Sequence, residues 1–585
     1  MSVEHVPTIH VNRVLCRFFL FFLLVVTPLL HFIPLYLLLT KLLLVLCFVI
    51  GFSQHDRRWW WVGCIVLLSC VFYSALWSVN PPLSTYHAIQ LSYYAIGFLL
   101  FRTIRFHQNA LRWGIRFVVL AALIIALDGL HQYFFRYDDY ARYLQEYDPF
   151  SSQEMEQAAH TWISALSGRV FTQFFALPSQ LAGYFLMIFP LNAVLIFHEK
   201  KTWLKLLWST VFMLNGMVFF FTKSFGAFLV LLCMLAAVTL LWFRNKRTLT
   251  WRGLLQISSG FLIAGTALFF LVGYFRGQYL WDFRGNNPLW LRFLNWKTAI
   301  AIWREHPFFG TGLGTFGSMY PQYMQPGANE AQYAHNTYLQ FGAELGIIGF
   351  VLIIFLAGSW CHSVLKGVHD YLRSEVQEKQ PDALYGIGGS FAGLGFLLHN
   401  IIDFNFYVFP LGLLNAAILG LTLNIFSSGE TKNNTTSAPN RRTYFAVVGL
   451  ISLGIMMLFV KDWQYTRASQ HKEQAAALLQ AQQYQEALQS IQAALRSSPT
   501  LPEYHAVTGS ILLYLRQPDQ AVDYYRTAIE AEPVTPWFHA GLAEAYLQQP
   551  NLSLAYIESR RAAELFPLKS QYQQRMQQIQ DQLPE

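Results

Sequence analysis

Charge is scarce in this chain. Lys, Arg, Asp and Glu make up 13% of its 585 residues, about half of the roughly 25% usual in soluble domains. With 54% of residues hydrophobic, the composition excludes a wholly soluble protein. Cysteine is sparse as well. Cys16, Cys47, Cys64, Cys70, Cys233 and Cys361 all lie in or beside apolar runs without metal-ligand spacing. That pattern argues against a disulfide framework or a zinc site. No cleavable signal peptide is expected, because the first apolar run leads directly into a second. The net charge is +8, yet most basic residues sit in short loops between apolar runs. We read that as a topology signal and expect no nucleic-acid partner.

Apolar length and aromatic side chains are abundant instead. A spanning helix needs ~20 mostly apolar residues. About thirteen such runs begin near Val14, Pro34, Trp59, Tyr86, Leu111, Leu177, Leu204, Phe225, Gly253, Thr337, Leu384, Asn405 and Thr443. Lys41 interrupts the second, and the first two can equally form one hairpin, so the reading is 12–13 spans. Aromatics reach 17%, which suits many membrane interfaces. Alternate short loops carry Arg57-Arg58, Arg102 with Arg105, Lys200-Lys201, Arg244 with Lys246-Arg247, Lys366 with Arg373, and Arg441-Arg442. The opposite loops carry almost no Lys or Arg apart from Lys223. The positive-inside rule then places the N-terminus in the cytoplasm of a cytoplasmic (inner) membrane protein. Thirteen crossings place the C-terminus outside, together with two long loops at about 134–176 and 276–336. Loops this long are usually functional.

The C-terminal region changes character near Arg467, becoming rich in Gln, Ala and Glu. Pro499, Pro533 and Pro567 recur every 34 residues. Ala487, Ala521 and Ala555 keep that register, as do Ala494, Ala528 and Ala562. This is the tetratricopeptide pattern of two helices per repeat. The expected fold class is therefore all-α: a polytopic transmembrane bundle over 1–462 and a soluble helical repeat domain over 467–585. The repeats present either a surface for a protein partner or a packing scaffold.

The richest chemistry lies in the second long loop. Leu289 to Glu305 reads as an amphipathic helix with Arg292, Trp296, Ile300 and Trp303 on one face, stopped by Pro307. Gly310, Gly312 and Gly314 then read as a flexible turn. They do not follow a strand within a βαβ unit, so a dinucleotide fold is rejected, though backbone amides in such a turn can face a phosphate. Asn336 is the expected N-cap of the next helix. His335 would sit at that helix's outer mouth and Glu344 deeper, near Gly346 and Gly349. A lone histidine is more often structural, but this one adjoins a tryptophan-rich helix, a glycine turn and external arginines.

This stretch resembles the O-antigen ligase and polymerase superfamily of membrane glycosyltransferases. The resemblance rests on Arg292 with Trp296, His306-Pro307, Gly310-x-Gly312-x-Gly314-x-Phe316, His335-Asn336-x-x-Leu339 and Glu344-x-Gly346-x-x-Gly349. Weaker similarities are Gly168-Arg169, Leu181-Ala182-Gly183-Tyr184, Thr222 to Ala227, and His399-Asn400-x-x-Asp403-Phe404. Phe225 stands where arginine is common in the family. The resemblance implies a metal-independent transferase without cofactor, its donor a glycan on undecaprenyl diphosphate. The acceptor would be lipid A–core in lipopolysaccharide biosynthesis, a growing polysaccharide, or a protein hydroxyl.

The residues fit that chemistry. His335 is the candidate base, because histidine ordinarily titrates near neutrality. Arg292 and then Arg169 are the candidates for the leaving diphosphate, since guanidinium stays charged and grips phosphate in a fork. Lys223, Trp296, Gly312, Gly314 and Glu344 are candidate substrate contacts. Asp403 with His399 reads as a second polar cluster at the outer face, and competing structural readings remain: an interfacial anchor for Arg292, an ordinary loop charge for Arg169, a helix-packing hydrogen bonder for Glu344 and a helix cap for Asp403. A transporter or flippase is the alternative of another class. Lys41, Asp128 and Glu344 form no evident relay for it.

Overall fold

The computed structural model describes residues 58–104, 108–136, 177–245, 251–276, 287–373, 382–427 and 441–583, with a few positions between 25 and 44 and between 106 and 175. The runs beginning near Val14 and Pro34 lie largely outside these residues, as does most of the 134–176 loop. Among the described residues the chain is helical and no strand forms. The helices are α1 (Arg58–Ser74), α2 (Pro81–Thr103), α3 (Gln108–His131), α4 (Pro178–His198), α5 (Thr202–Phe221), α6 (Phe225–Asn245), α7 (Trp251–Arg276), α8 (Pro288–Glu305), α9 (Phe316–Tyr323), α10 (Thr337–Arg373), α11 (Ala383–His399), α12 (Phe409–Ser427) and α13 (Arg441–Gln480). The repeat helices follow: α14 (Tyr484–Ser497), α15 (Pro502–Tyr514), α16 (Pro518–Ala531), α17 (Pro536–Gln548), α18 (Leu552–Leu565) and α19 (Ser570–Gln580).

Five helices among the described residues are long and apolar enough to cross a membrane: Gln108–Phe135, Pro178–His198, Thr202–Phe221, Thr337–Arg373 and Phe409–Ser427. Val62–Ser74, Phe225–Leu241, Ser258–Tyr274 and Ala383–His399 are shorter apolar helices. This makes the chain a multi-pass membrane protein. The bundle is centred on α2, α4, α11 and α12, which pack along one another. α4 buries nearly its whole length. The peripheral α5 instead exposes Leu206, Met213, Met217 and Phe220, a pattern that suits lipid rather than water.

The polar interruption at Lys41 has a partner. Its Nζ lies 2.8 Å from both carboxylate oxygens of Asp462 on α13 and 4.9 Å from the Phe409 ring centroid. The second apolar run is thus tied to α13 by a buried ion pair.

The expected boundary between membrane body and repeats falls inside α13. This 40-residue helix, about 60 Å long at 1.5 Å per residue, continues from the last apolar run into the first repeat. The alanines at the repeat's registered positions are all buried at 0–1% exposure, so they are the close-contact points between paired helices. Gln482, Arg516 and Pro550 all have left-handed backbone, and each opens the turn between the two helices of a repeat.

The repeat domain rests on the same end of the bundle as the 306–336 segment. Asn80 Nδ2 donates to Glu532 Oε2 at 2.8 Å. Lys569 pairs with Glu330 at 2.8 Å, and the Tyr465 hydroxyl donates to the Pro82 carbonyl at 3.3 Å.

The Lys41–Asp462 pair gives a direct test. Asp462→Ala strands a buried ammonium and is expected to destabilise the chain by roughly 3–5 kcal/mol. Lys41→Met with Asp462→Leu should recover most of that loss. Thermal unfolding in detergent reads both, and an unchanged melting temperature for Asp462→Ala would remove the pair's structural role.

Candidate active site

From Asn287 to Asn336 the second long loop is built around two helices, α8 and α9. Asn287 caps α8, its side chain accepting from the Leu289 and Trp290 amides at 2.9 and 3.3 Å, and Pro288 occupies the first turn. α8 ends at His306, before Pro307. Its buried stripe is Leu294, Asn295, Thr298, Ala299 and Ile302. Arg292, Trp296 and Trp303 flank that stripe, but Ile300 is 37% exposed and leaves the expected face. The wide indole of Trp303 fills the space beside Gly342 and meets Phe350 at 4.9 Å between ring centroids.

α8 delivers Arg292 to the loop between α11 and α12. There Arg292 Nη2 lies 3.6 Å from Asp403 Oδ2. The other oxygen of Asp403 lies 3.8 Å from His335 Nδ1 and accepts from the Phe404 amide at 2.9 Å. Asp403 is fully buried. Burial alone would raise its carboxyl, but His335, Arg292 and His399 outweigh that and hold it well below the usual carboxylate range. The helix-cap reading of Asp403 is therefore corrected: its carboxylate is shared by the two main candidates. Sequence reasoning grouped Asp403 with His399, and the separation of nearly seventy residues hid its link to His335.

His335 is held from several sides. Its carbonyl accepts from Trp296 Nε1 at 3.1 Å, and its ring meets Phe404 edge-on at 4.9 Å. Asn336 caps α10 as expected, accepting from the Leu339 amide at 3.0 Å. The Thr337 hydroxyl donates to Asn400 Oδ1 at 2.7 Å. The late His399-to-Phe404 motif is thus stitched onto the start of α10. The Trp296 indole N–H is taken up in its link to the His335 backbone. Tyr333 stacks on Phe404 at 4.4 Å; burial, with Glu344 near, pushes its phenol up to about 12, so it stays protonated.

His335 has a φ of +52° and Lys223 one of +49°. Backbone of this kind is costly for residues with a side chain and collects at functional sites. Among the described residues the other non-glycine cases are the three repeat turns.

Lys223 lies in the turn between α5 and α6. Arg169 joins the same turn, its Nε donating to the Thr222 carbonyl at 2.9 Å. Gly226 follows, and a β-carbon there would lie 3.5 Å from Arg292 Nη1. Arg169, Lys223 and Arg292 are therefore neighbours at one mouth, although more than a hundred residues separate the first from the last.

The glycine turn and Glu344 behave differently from expectation. The turn is anchored rather than flexible. The Gly312 amide donates to the Glu344 carbonyl at 2.9 Å, and the Gly314 and Phe316 amides donate to its carboxylate at 2.7 and 3.2 Å. Tyr407 and Gln340 donate to the same carboxylate at 2.5 and 2.9 Å. With the carboxylate so fully engaged and buried, the packing reading of Glu344 gains over substrate contact. The Gly312 and Gly314 amides are likewise occupied. α10 is interrupted at Gly346, with φ +65°, where the backbone of Phe308 leaves no room for a β-carbon. The 306–312 segment runs along this break, with Thr311 and Ile347 amides donating to the Ala343 and Pro307 carbonyls at 3.1 and 2.8 Å.

Fold and site together define a class: a helical multi-pass membrane protein with a cationic, histidine-bearing mouth and an appended helical repeat. Residues 208–354 match the family model described as O-antigen ligase, and residues 507–568 match a tetratricopeptide repeat. The first match contains Lys223, Arg292, His335 and Glu344, while Arg169 and Asp403 lie outside it. No curated protein matches the chain. Among solved structures the chain is similar to the first TPR of Spaghetti (RPAP3) bound to HSP90 peptide SRMEEVD. That similarity has 17% identity and a TM-score of 0.20, over 20% of this chain and 94% of that one.

Because the folded state holds Asp403 charged, its stabilisation is full above the ordinary carboxylate pKa of about 4 and fades as pH falls below it. Asp403→Asn should lower stability at pH 7 by roughly 1–3 kcal/mol, and the gap to the parent should close in acid. Melting curves across pH measure this. A gap that stays constant down to about pH 3 would contradict the charged pairing.

Proposed function

We propose that this chain transfers a glycan from an undecaprenyl-diphosphate carrier to an acceptor hydroxyl during lipopolysaccharide or surface-polysaccharide biosynthesis, as a ligase. The observation that carries the reading is the grouping of Arg292, Asp403 and His335 beside Arg169 and Lys223. The family match supports an O-antigen ligase-type or polymerase-type membrane glycosyltransferase; donor and acceptor are our assignment.

In this mechanism Asp403 faces His335 Nδ1 and leaves Nε2 to take the acceptor's proton. The acceptor oxygen then attacks the anomeric carbon as the bond from that carbon to the phosphate oxygen breaks. The electron pair leaves with undecaprenyl diphosphate. Its growing charge meets Arg292, Arg169 and Lys223, placed in advance. Lys223 contributes as a point charge and supplies no fork. The alternative acceptors, a growing glycan or a protein hydroxyl, use the same groups. The contact of the repeat domain with α2 and the 306–336 segment favours an extracytoplasmic repeat, on the side of His335.

Two measurements test this. His335→Ala should abolish glycan transfer in isolated membranes while insertion stays normal. Arg292→Lys, which keeps charge without the fork, should cost about 10–100-fold. Full transfer by His335→Ala would remove its role as base. Separately, a compartment-sensitive tag at Glu585 should report the extracytoplasmic side, and a cytoplasmic signal would reverse the proposed orientation.

A further inference from the structure

Beyond the reacting groups, a cleft of about 530 Å³ opens between the repeat domain and the segment from Gly314 to Gln332. Its size is within the ~300–1,000 Å³ typical of small-molecule sites. One wall is the α8–α10 connection, including Ser318, Tyr320 and Gln332. The other comes from the turns of the repeats, including Thr535 and Trp537, and Asn80 closes one end. Gln332 lies three residues before His335, so the cleft wall and the proposed base belong to one continuous segment.

The lining tells what the cleft suits. Trp537, at the start of α17, is 38% exposed and offers a flat ring. The Gln332 amide offers both a donor and an acceptor, while Ser318, Thr535 and Asn80 are engaged with Glu532 and the Tyr320 hydroxyl donates to Asn295 at 2.6 Å, so the hydroxyls contribute acceptor lone pairs. Three carboxylates also line it, but each has a partner. Glu532 accepts from Asn80 at 2.8 Å, Glu330 pairs with Lys569 at 2.8 Å, and Glu503 pairs with Lys472 at 3.0 Å. No Lys or Arg lines the cleft among the described residues. An anionic ligand would therefore meet carboxylates and no cation there, while for a cationic one the Glu330 and Glu503 charges are already taken by lysines and Glu532 is buried beneath Asn80. An uncharged ligand with many hydroxyls and one apolar face meets both requirements, because such faces stack on aromatic rings while the hydroxyls exchange hydrogen bonds.

We propose that this cleft binds an uncharged stretch of carbohydrate in the acceptor, holding it so that the reacting hydroxyl reaches His335. The assignment rests on the transferase reading for its purpose, but the binding itself does not. Trp537 is the stacking platform, and the repeat domain acts as one jaw of an acceptor site.

Full-length protein in lipid nanodiscs tests this, photolabelled with diazirine-tagged maltotriose and diazirine-tagged chitotriose. Peptide mapping should place label from at least one sugar on 317–332 and 532–538. Trp537→Ala should lower that labelling about tenfold, and Trp537→Phe, which keeps a ring, should restore most of it. In transfer assays Trp537→Ala should raise the acceptor KM about tenfold, so kcat/KM falls in step. Labelling of the cleft by neither sugar overturns the proposal even where transfer is normal. Labelling by a diazirine-tagged lysine-rich peptide in place of either sugar assigns the cleft to a protein partner and overturns it too. Sugar labelling in a protein that transfers nothing supports the cleft and sinks the transferase reading instead.

Discussion

A buried carboxylate at the mouth of an apolar bundle must be matched, and the positions of Arg292 and His335 are tied to how Asp403 is matched. An unpaired charge in such surroundings costs several kcal/mol. Asp403 is fully buried, with Arg292 3.6 Å from one oxygen and His335 3.8 Å from the other. The three come from α8, the start of α10 and the α11–α12 loop. Moving α8 or the start of α10 away would leave the buried carboxylate short of a charged partner. The ion cluster therefore fixes the geometry of the mouth as well as its charge. It leaves His335 oriented and Arg292 partly accessible, at 18% side-chain exposure.

A second carboxylate supports the first. Glu344 gathers the glycine turn, Gln340 and Tyr407, and so fastens the α8–α9 connection to α10 and to the loop that carries Asp403. The break at Gly346 makes this possible. A continuous helix at that point would collide with the Phe308 backbone. Non-helical backbone at such a depth is tolerated where protein groups satisfy it, and here the freed Ile347 amide donates to the Pro307 carbonyl while the freed Ala343 and Glu344 carbonyls accept from the Thr311 and Gly312 amides. The two carboxylates thus have separate roles. Asp403 faces Arg292 and His335, and Glu344 holds the frame around them.

Much of this was legible in the sequence, for identifiable reasons. Local spacing made the repeats plain, because a residue buried once per repeat must recur every 34 positions, as Ala487, Ala521 and Ala555 do. The α8 helix, its stop at Pro307 and the Asn336 cap are also local. What stayed hidden was long-range. Lys41 looked like a flaw in an apolar run until Asp462 met it 421 positions later. Asp403 looked like a cap because its partners lie far away in the chain. The glycines at 312 and 314 suggested a phosphate cradle, since their spacing says nothing about who takes their amides. Ile300 misled for a simpler reason: a stripe assigned by i, i+4 spacing alone has an edge, and Ile300 falls beyond it.

The repeat domain gains significance from the way it is attached. A tetratricopeptide array on a loose linker would collect partners over a wide volume. Here α13 continues from the apolar run into the first repeat without a break, and its Asp462 is pinned by Lys41. The far side of the array is fastened again through Asn80 to Glu532 and Lys569 to Glu330. Two attachments at opposite ends restrict the domain to one pose beside the 306–336 segment. A domain held this way would shape an approach route instead of merely recruiting, and on the proposed reading that is how the cleft beneath it bears on the choice of acceptor. On the proposed reading, the pairing of a cationic mouth with a cation-free cleft carrying Trp537 separates two demands: charge would handle the leaving diphosphate, and stacking with neutral hydrogen bonds would handle the incoming sugar.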